Sequence, residues 1–319
     1  MRDLSLRYKS CSRPDPKEGD QHGRETMEQI AIIGLGLMGA SLGLGLKASG
    51  FGGRVVGYAR RGETREFAKA HEMVDDVVES PIDAAKHSDL VVVCVPIVSI
   101  EGVIRDMLPG IKPGCILTDV GSTKAHLANR ITSIVSEHHA FFIGSHPIAG
   151  SERHGVEAAV PDLYHLAKVV VTPPPEDQGR FPVDKLCRFW KGLGAEIIVM
   201  TPEQHDLILA RTSHLPHMIS ATLASTVGRG PDGEEMARFC GAGVRDATRI
   251  AEGSPAIWID ILCTNRQNVL SELRAFHSIL EQLIGIVSGQ EDEVIESFLK
   301  QAQERRKQLV AEVEKKRDE

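Results

Sequence analysis

The stretch Ser145-His146-Pro147-Ile148-Ala149-Gly150-Ser151-Glu152 gathers residue types that proton transfer needs. It follows the apolar run Phe141-Phe142-Ile143, which puts His146 at or just past the carboxyl end of a predicted strand. Ligands of open α/β sheets sit in the crevice outside the carboxyl ends of strands. A histidine in that position can exchange a proton near neutral pH. A second polar cluster, Ser213-His214-Leu215-Pro216-His217, lies in the helical half of the chain, where a second reactant would find partners. His214 and His217 could start a metal site, but the sequence shows no third ligand. No metal is expected.

These groups need elements to position them, and the first is a nucleotide cradle. Gln29 to Ile33 is a short apolar strand that runs into Gly34-Leu35-Gly36-Leu37-Met38-Gly39 and then a helix from about Leu37 to Ala48. Gly50 ends that helix as a C-terminal cap would, and Arg54 to Tyr58 is the next strand. In this strand–helix–strand setting the G-x-G-x-x-G spacing marks a dinucleotide site. Gly34 permits the tight turn, Gly36 lets the backbone approach a pyrophosphate, and Gly39 lets helix and strand pack closely. The helix N-terminus adds amides and a partial positive charge.

The second strand ends in Tyr58-Ala59-Arg60-Arg61, with Thr64 beyond. An acid usually stands there to bind the adenosine ribose of NAD; here it is replaced by two arginines, which suit a 2′-phosphate. The expectation is NADP over NAD. The alternative has Arg60 stacking on the adenine and Arg61 solvated.

Asp89 to Pro96 is a continuous apolar run, as for a central parallel strand, and places Val95 and Pro96 at the crevice. Cys115 to Val120 is another strand, leading into Gly121-Ser122-Thr123-Lys124, where Ser122 or Thr123 is expected to cap the next helix. Strand 141–145, the His146 loop, strand Ala167 to Val171, a helix around Phe181 to Leu193 and strand Ala195 to Met200 follow. From Thr201 the pattern is helical only. Thr201-Pro202-Glu203-Gln204 is a capping-box start, and Pro216 should kink the helix it sits in. A long amphipathic helix carries Val269, Leu273, Leu280, Ile284 and Val287 on one face, and the tail from Glu291 is a charged helix. Long apolar faces on a helical half with few aromatics predict burial against a second subunit, so a homodimer is expected.

The fold class expected is therefore an α/β Rossmann-type domain followed by an all-α helical dimerisation domain. The expected boundaries are a disordered leader or misassigned start over 1–28, a dinucleotide-binding domain over 29–200 and a helical domain over 201–319. With 319 residues and 42% hydrophobic content the chain can build such cores. Aromatic residues at 4% and a net charge of −7 without a basic stripe argue against a nucleic-acid partner. No apolar run reaches the length of a membrane span. Six cysteines without a C-x-x-C pair read as reduced thiols of a cytoplasmic protein.

Taken together, the motifs resemble the prephenate/arogenate dehydrogenases of tyrosine biosynthesis over residues 29 to 300. The resemblance rests on Gly34–Gly39, Asp119–Lys124, Ser145–Glu152, Ser213–His217 and Gly243-Val244-Arg245-Asp246-Ala247-Thr248-Arg249-Ile250-Ala251. It implies NAD(P)-dependent oxidative decarboxylation of prephenate or arogenate. By that resemblance His146 takes the proton of the ring hydroxyl and Ser122 orients the imidazole or the hydroxyl. Arg249 binds a carboxylate, and Ser213 and His217 contact the substrate from the helical half. Asp246 and Trp258 form a gate and wall, and Ser151 and Glu152 line the side-chain end. A β-hydroxyacid dehydrogenase shares the glycine run but needs a catalytic lysine at the junction, and the context of Lys124 does not match. A cofactor-binding regulator without catalysis would need neither the histidine nor the arginine.

Overall fold

The computed structural model describes residues 9–10, 27–149, 153–174, 180–230 and 232–314. It begins with a two-residue strand, β1 (Lys9–Ser10), inside the stretch expected to be a leader; the rest of 1–26 lies outside the described residues. Six strands then build a wholly parallel sheet. They are β2 (Gln29–Ile33), β3 (Arg54–Tyr58), β4 (Asp76–Val78), β5 (Leu90–Val93), β6 (Ile116–Asp119) and β7 (Phe141–Phe142). Their order is β4-β3-β2-β5-β6-β7, so the strand order reverses between β2 and β5. This is the dinucleotide-binding topology, with its crevice at the switch point. The strand β4 was not foreseen; its three half-buried residues are too few to give a periodic signal.

Alternation decides the layers. Successive side chains of a strand point to opposite faces. Ile30 and Ile32 of β2, with Leu90 and Val92 of β5, enter one core, while Ala31, Ile33, Val91 and Val93 enter the other. Both faces are covered by helices, which is why β5 is apolar throughout. Those helices include α1 (Leu37–Ala48), α2 (Gly62–Ala70), α3 (Pro81–Ala85), α4 (Ile97–Met107) and α5 (Ala125–Glu137). At the end of α1, Gly50 takes φ +73°, its N–H bonds the Lys47 carbonyl and Phe51 N–H bonds that of Leu46. This is the left-handed helix stop expected from the sequence.

The expected strand 141–145 divides instead. β7 closes the first sheet, Ile143 turns the chain, and β8 (Gly144–Ile148) opens a second sheet of order β1-β10-β9-β8. β8 runs antiparallel to β9 (Lys168–Thr172), with His146 opposite Val170. β9 is parallel to β10 (Glu196–Val199), reached through α6 (Phe181–Gly192). His146 thus lies within a strand of the second sheet, not past the end of one in the first. Only Ile143 stands between the two strands, too short a break for periodicity to register.

From residue 202 every element among the described residues is helical. α7 (Pro202–Leu209) starts on the Thr201–Gln204 capping box, both of whose hydrogen bonds form. A π-helical turn, Ala210–His214, follows and leads into α8 (Leu215–Val227). Pro216 accordingly sits in the first turn of α8, where a missing N–H costs little, and no proline kink is needed. α9 (Gly233–Ala237), α10 (Ala242–Thr248) and α11 (Pro255–Thr264) complete a compact unit that extends to Asn268. Val269–Glu319 form a second unit, made of most of α12 (Arg266–Gly289) and of α13 (Asp292–Glu314). None of the described helices is long and apolar enough to cross a membrane.

Candidate active site

The sequence Asp119-Val120-Gly121-Ser122-Thr123-Lys124 folds into a clamp around one carboxylate. Asp119, at the end of β6, accepts from Gly121 N–H at 2.8 Å, from Ser145 N–H at 3.4 Å and from the Lys124 ammonium. Lys124 also donates to the Ser145 carbonyl at 2.8 Å. The Ser145 hydroxyl meets Thr118 at 2.8 Å and accepts from the Trp190 indole at 3.1 Å. The residue before His146 is therefore held from three sides, and all of these groups are buried. Burial pushes the Lys124 ammonium below its usual range, although Asp119 opposes that shift.

Neither Ser122 nor Thr123 caps α5. Thr123 Oγ1 bonds Thr264 of α11 at 2.8 Å, and the cap comes from a distant residue. The carboxylate of Asp206 accepts from Lys124 N–H at 2.8 Å and from Ala125 N–H at 3.0 Å. A negative group at a helix N-terminus meets both the open amides and the helix dipole. Asp206 thereby ties α7 to the start of α5.

Next to it lies the pair that sequence reading missed. His205 Nδ1 is 2.8 Å from Asp206 Oδ1, and His205 Nε2 is 2.8 Å from His146 Nδ1. His205 is fully buried and His146 is 9% exposed. Burial holds both imidazoles below their ordinary range, His146 well below, with His205, Lys124 and His214 adding to the effect on His146. The signal available in the sequence was the His205-Asp206 dipeptide one turn into a capped helix. It reads as a polar helix face until β8 is packed against it.

His214, considered from the sequence only as half of a metal pair without a third ligand, also belongs here. The π-turn rotates it inward, so it is 1% exposed and its Nδ1 lies 3.3 Å from the Asn265 amide, which also donates to the Asp206 carbonyl. Burial lowers it to about 4. Its ring meets Trp258 edge-on at 6.0 Å, and Trp258 stacks on His217 at 3.5 Å between centroids. Rings and hydrogen bonds thus lead from His146 to Trp258 and His217.

Between the glycine loop and β8 opens a cavity of about 640 Å³. Gly36, Leu37 and Met38 line one wall, Val95 and Pro96 a second, and Ser122 and His146 a third. Arg153, His154 and, from α11, Ile257 and Asp260 complete it. These seven expected residues meet in one space. Five others, Ser213, His217, Asp246, Arg249 and Trp258, are not in its described lining. Ser213 is half-buried in the π-turn, while Arg249 and Asp246 are exposed, with Asp246 3.7 Å from Arg245. Ser151 and Glu152 lie outside the described residues.

The glycine cradle is built by close approach. Gly34 has φ +105°, and a Cβ on Gly39 would fall 1.9 Å from the Gly34 carbonyl oxygen. Gly36, the N-cap of α1, offers no side-chain cap, and a Cβ there would meet nothing within 4 Å. Open amides face open space, which fits a dinucleotide pyrophosphate. At the other end Ala59 is buried, Arg60 and Arg61 are exposed, and Thr64 is half-buried in α2. Arg65 is already engaged, donating to the Ala59 and Arg60 carbonyls.

Two family models cover this architecture. Residues 42–199 match the prephenate dehydrogenase nucleotide-binding domain, and residues 201–301 match the prephenate dehydrogenase dimerization domain. The chain belongs to the prephenate dehydrogenase family. It is 31% identical over 281 residues to the cyclohexadienyl dehydrogenase of Zymomonas mobilis, a match covering 88% of this chain and 95% of that one. Against the prephenate dehydrogenase of Bacillus subtilis it is 30% identical, over 88% of this chain and 75% of that one. Among solved structures, the prephenate dehydrogenase from A. aeolicus in complex with hydroxyphenyl propionate and NAD+ superposes with a TM-score of 0.82 at 28% identity. That match covers 90% of this chain and all of the other. Synechocystis arogenate dehydrogenase gives 0.77 at 29% identity, over 88% and 99%. The protein is thus a nicotinamide-dependent dehydrogenase of the prephenate and arogenate type, with the Rossmann-type and helical parts expected from the sequence.

Proposed function

We propose that His146 is the general base of an oxidative decarboxylation of prephenate or arogenate in the 640 Å³ cavity. The observation carrying this is the position of His146: its Nδ1 is tied inward to His205, leaving Nε2 for the cavity shared with Ser122 and the glycine cradle. A bound nicotinamide would supply the hydride acceptor for the carbinol carbon. As the hydride leaves, Nε2 takes the hydroxyl proton. The ring carboxylate then departs as CO2, its bonding electrons complete the aromatic ring, and the proton returns to the phenolic oxygen. General base help of this kind is worth ~10²–10⁴-fold. Ser122 orients the hydroxyl. Gly34 and Gly39 set the approach of loop and helix, Gly36, Leu37 and Met38 would hold the pyrophosphate, and Val95 and Pro96 would line the cofactor site.

Arg249, Ser213 and His217 bind the substrate from the helical part, with Asp246 and Trp258 as gate and wall and Ser151 and Glu152 at the side-chain end. In support, His217 and Trp258 already stack into one wall. The cofactor is NADP in preference to NAD: Arg60 and Arg61 are exposed beside the strand end where an acid would otherwise bind the ribose. The active form is a cytoplasmic homodimer. Exposed apolar residues on α12, among them Ile284 at 58% and Val287 at 57%, support burial against a second copy.

The test is a steady-state assay with prephenate or arogenate, each with NAD or NADP, following reduced nicotinamide. Turnover is expected, fastest with NADP. Silence in all four combinations would overturn the reading.

A further inference from the structure

We infer that His205 and Asp206 are positioning residues that hold His146 in one tautomer, with its proton on Nδ1 and its lone pair on Nε2. The inference rests on the reading of His146 as the base. It follows from counting donors along the chain of contacts. Asp206 receives the N–H groups of Lys124 and Ala125 and, at 2.8 Å, His205 Nδ1. An ionised carboxylate only accepts, so Nδ1 of His205 carries a hydrogen. Burial disfavours a charged ring at His205 and outweighs the opposing Asp206 carboxylate, and the buried Lys124 ammonium nearby adds to the cost. A neutral ring protonated at Nδ1 has its lone pair on Nε2. His146 Nδ1 stands 2.8 Å from that lone pair and must donate to it. What is left on His146 is an unprotonated Nε2.

The reverse polarity would put His205 Nε2–H against His146 Nδ1. It needs a second proton on His205 or a protonated Asp206, and it leaves His146 with Nε2–H, unable to accept. The carboxylate therefore selects the reactive form two rings away. During the reaction the substrate hydroxyl proton moves to His146 Nε2. No bond at His205 breaks; the new imidazolium keeps donating to His205, whose own N–H is held by Asp206. Because Asp206 also caps α5, the element that follows the Ser122 loop, one side chain sets both the base and the loop opposite it.

The experiment uses the full-length protein with ¹⁵N-labelled histidine imidazoles. His146 is assigned by comparison with His146→Asn. At neutral pH the wild-type spectrum should show a protonated Nδ1 and an unprotonated Nε2 for His146. His205→Gln keeps an acceptor facing His146 and should preserve this tautomer, with kcat within about tenfold of wild type. His205→Leu removes the acceptor, and kcat should fall by ~10²-fold or more while the cofactor KM stays unchanged. Asp206→Asn, with its carbonyl oxygen kept on Ala125 N–H, gives up the Lys124 N–H and donates its NH2 to His205 Nδ1. It should move the His146 proton to Nε2 and depress kcat similarly.

A wild-type His146 protonated at Nε2 would overturn the inference, whatever the variants do. So would a His205→Leu enzyme as active as His205→Gln. If a variant fails to fold, the wild-type spectrum still decides. If His146→Asn proves fully active, the base assignment fails, and the spectrum still reports the relay separately.

Discussion

Two alanine substitutions in the glycine cradle should fail in opposite ways. A Cβ on Gly39 would sit 1.9 Å from the Gly34 carbonyl oxygen and 3.0 Å from both the Gly34 carbonyl carbon and Ile32 Cγ2. The first distance is about 1.5 Å inside a normal contact. The obstacle is backbone, held in place by the hydrogen bond from Gly34 N–H to the Tyr58 carbonyl, so α1 must move instead. Overpacking of this kind costs about 1–3 kcal/mol, or roughly 2–6 °C of Tm for a chain of this size. Gly36→Ala meets nothing within 4 Å and has an ordinary φ of −78°, so its stability should be nearly unchanged. Its methyl group instead occupies the space a pyrophosphate needs, and dinucleotide affinity should fall by ~10-fold or more, about 1.4 kcal/mol. Thermal melting without cofactor and calorimetric titration with NADP and NAD separate the two effects. A Gly36→Ala protein that melts lower yet binds as tightly, or a Gly39→Ala protein with unchanged Tm, would refute the cradle.

The chemistry can be tested at His146. His146→Asn should lower kcat by ~10²–10⁴-fold and leave cofactor affinity intact; a fall of less than tenfold would remove it as the base. Because burial and the neighbouring His205, Lys124 and His214 hold its pKa well below 6.5, the neutral, accepting form persists in mild acid, and kcat/KM should lose activity only well below pH 6.5. An acid limb at or above 6.5 would contradict that environment. His214, lowered from 6.5 to about 4, makes the fold acid-sensitive. As pH falls the unfolded chain binds the proton first, so about 3 kcal/mol is lost between pH 6.5 and 4. Urea titrations across that range should show a shallower decline in His214→Gln. Replacing Arg60 and Arg61 together by alanine should weaken NADP far more than NAD, and equal loss would end the 2′-phosphate assignment.

Local signals carried much of the architecture. The glycine spacing, the capped start at Thr201 and the apolar run at Leu90–Val93 each encode their element within a few residues, and each formed where expected. Features made by distant residues were not legible. Asp206 caps a helix that begins 81 residues earlier in the chain. His205 reaches His146 only because the chain leaves the parallel sheet at Ile143 and builds β8 in a second one. His214 lies at the end of the π-turn Ala210–His214, which leaves its ring buried. A π-turn has no composition of its own to read.

The same distant contacts separate this site from that of a β-hydroxyacid dehydrogenase, which shares the glycine run. That chemistry needs a lysine with its ammonium in the cavity. Lys124 is the lysine nearest the junction, and it is 1% exposed, spending its hydrogen bonds on Asp119 and the Ser145 carbonyl. It is absent from the described cavity lining, while His146 is present. A cation locked behind the strand cannot shuttle a proton to a bound substrate. It can oppose a second charge on the imidazole in front of it, and that is its effect on His146. The lysine thus favours the neutral ring that a base requires. Within the clamp of Asp119, Lys124 and Ser145, the proton-accepting group is the histidine.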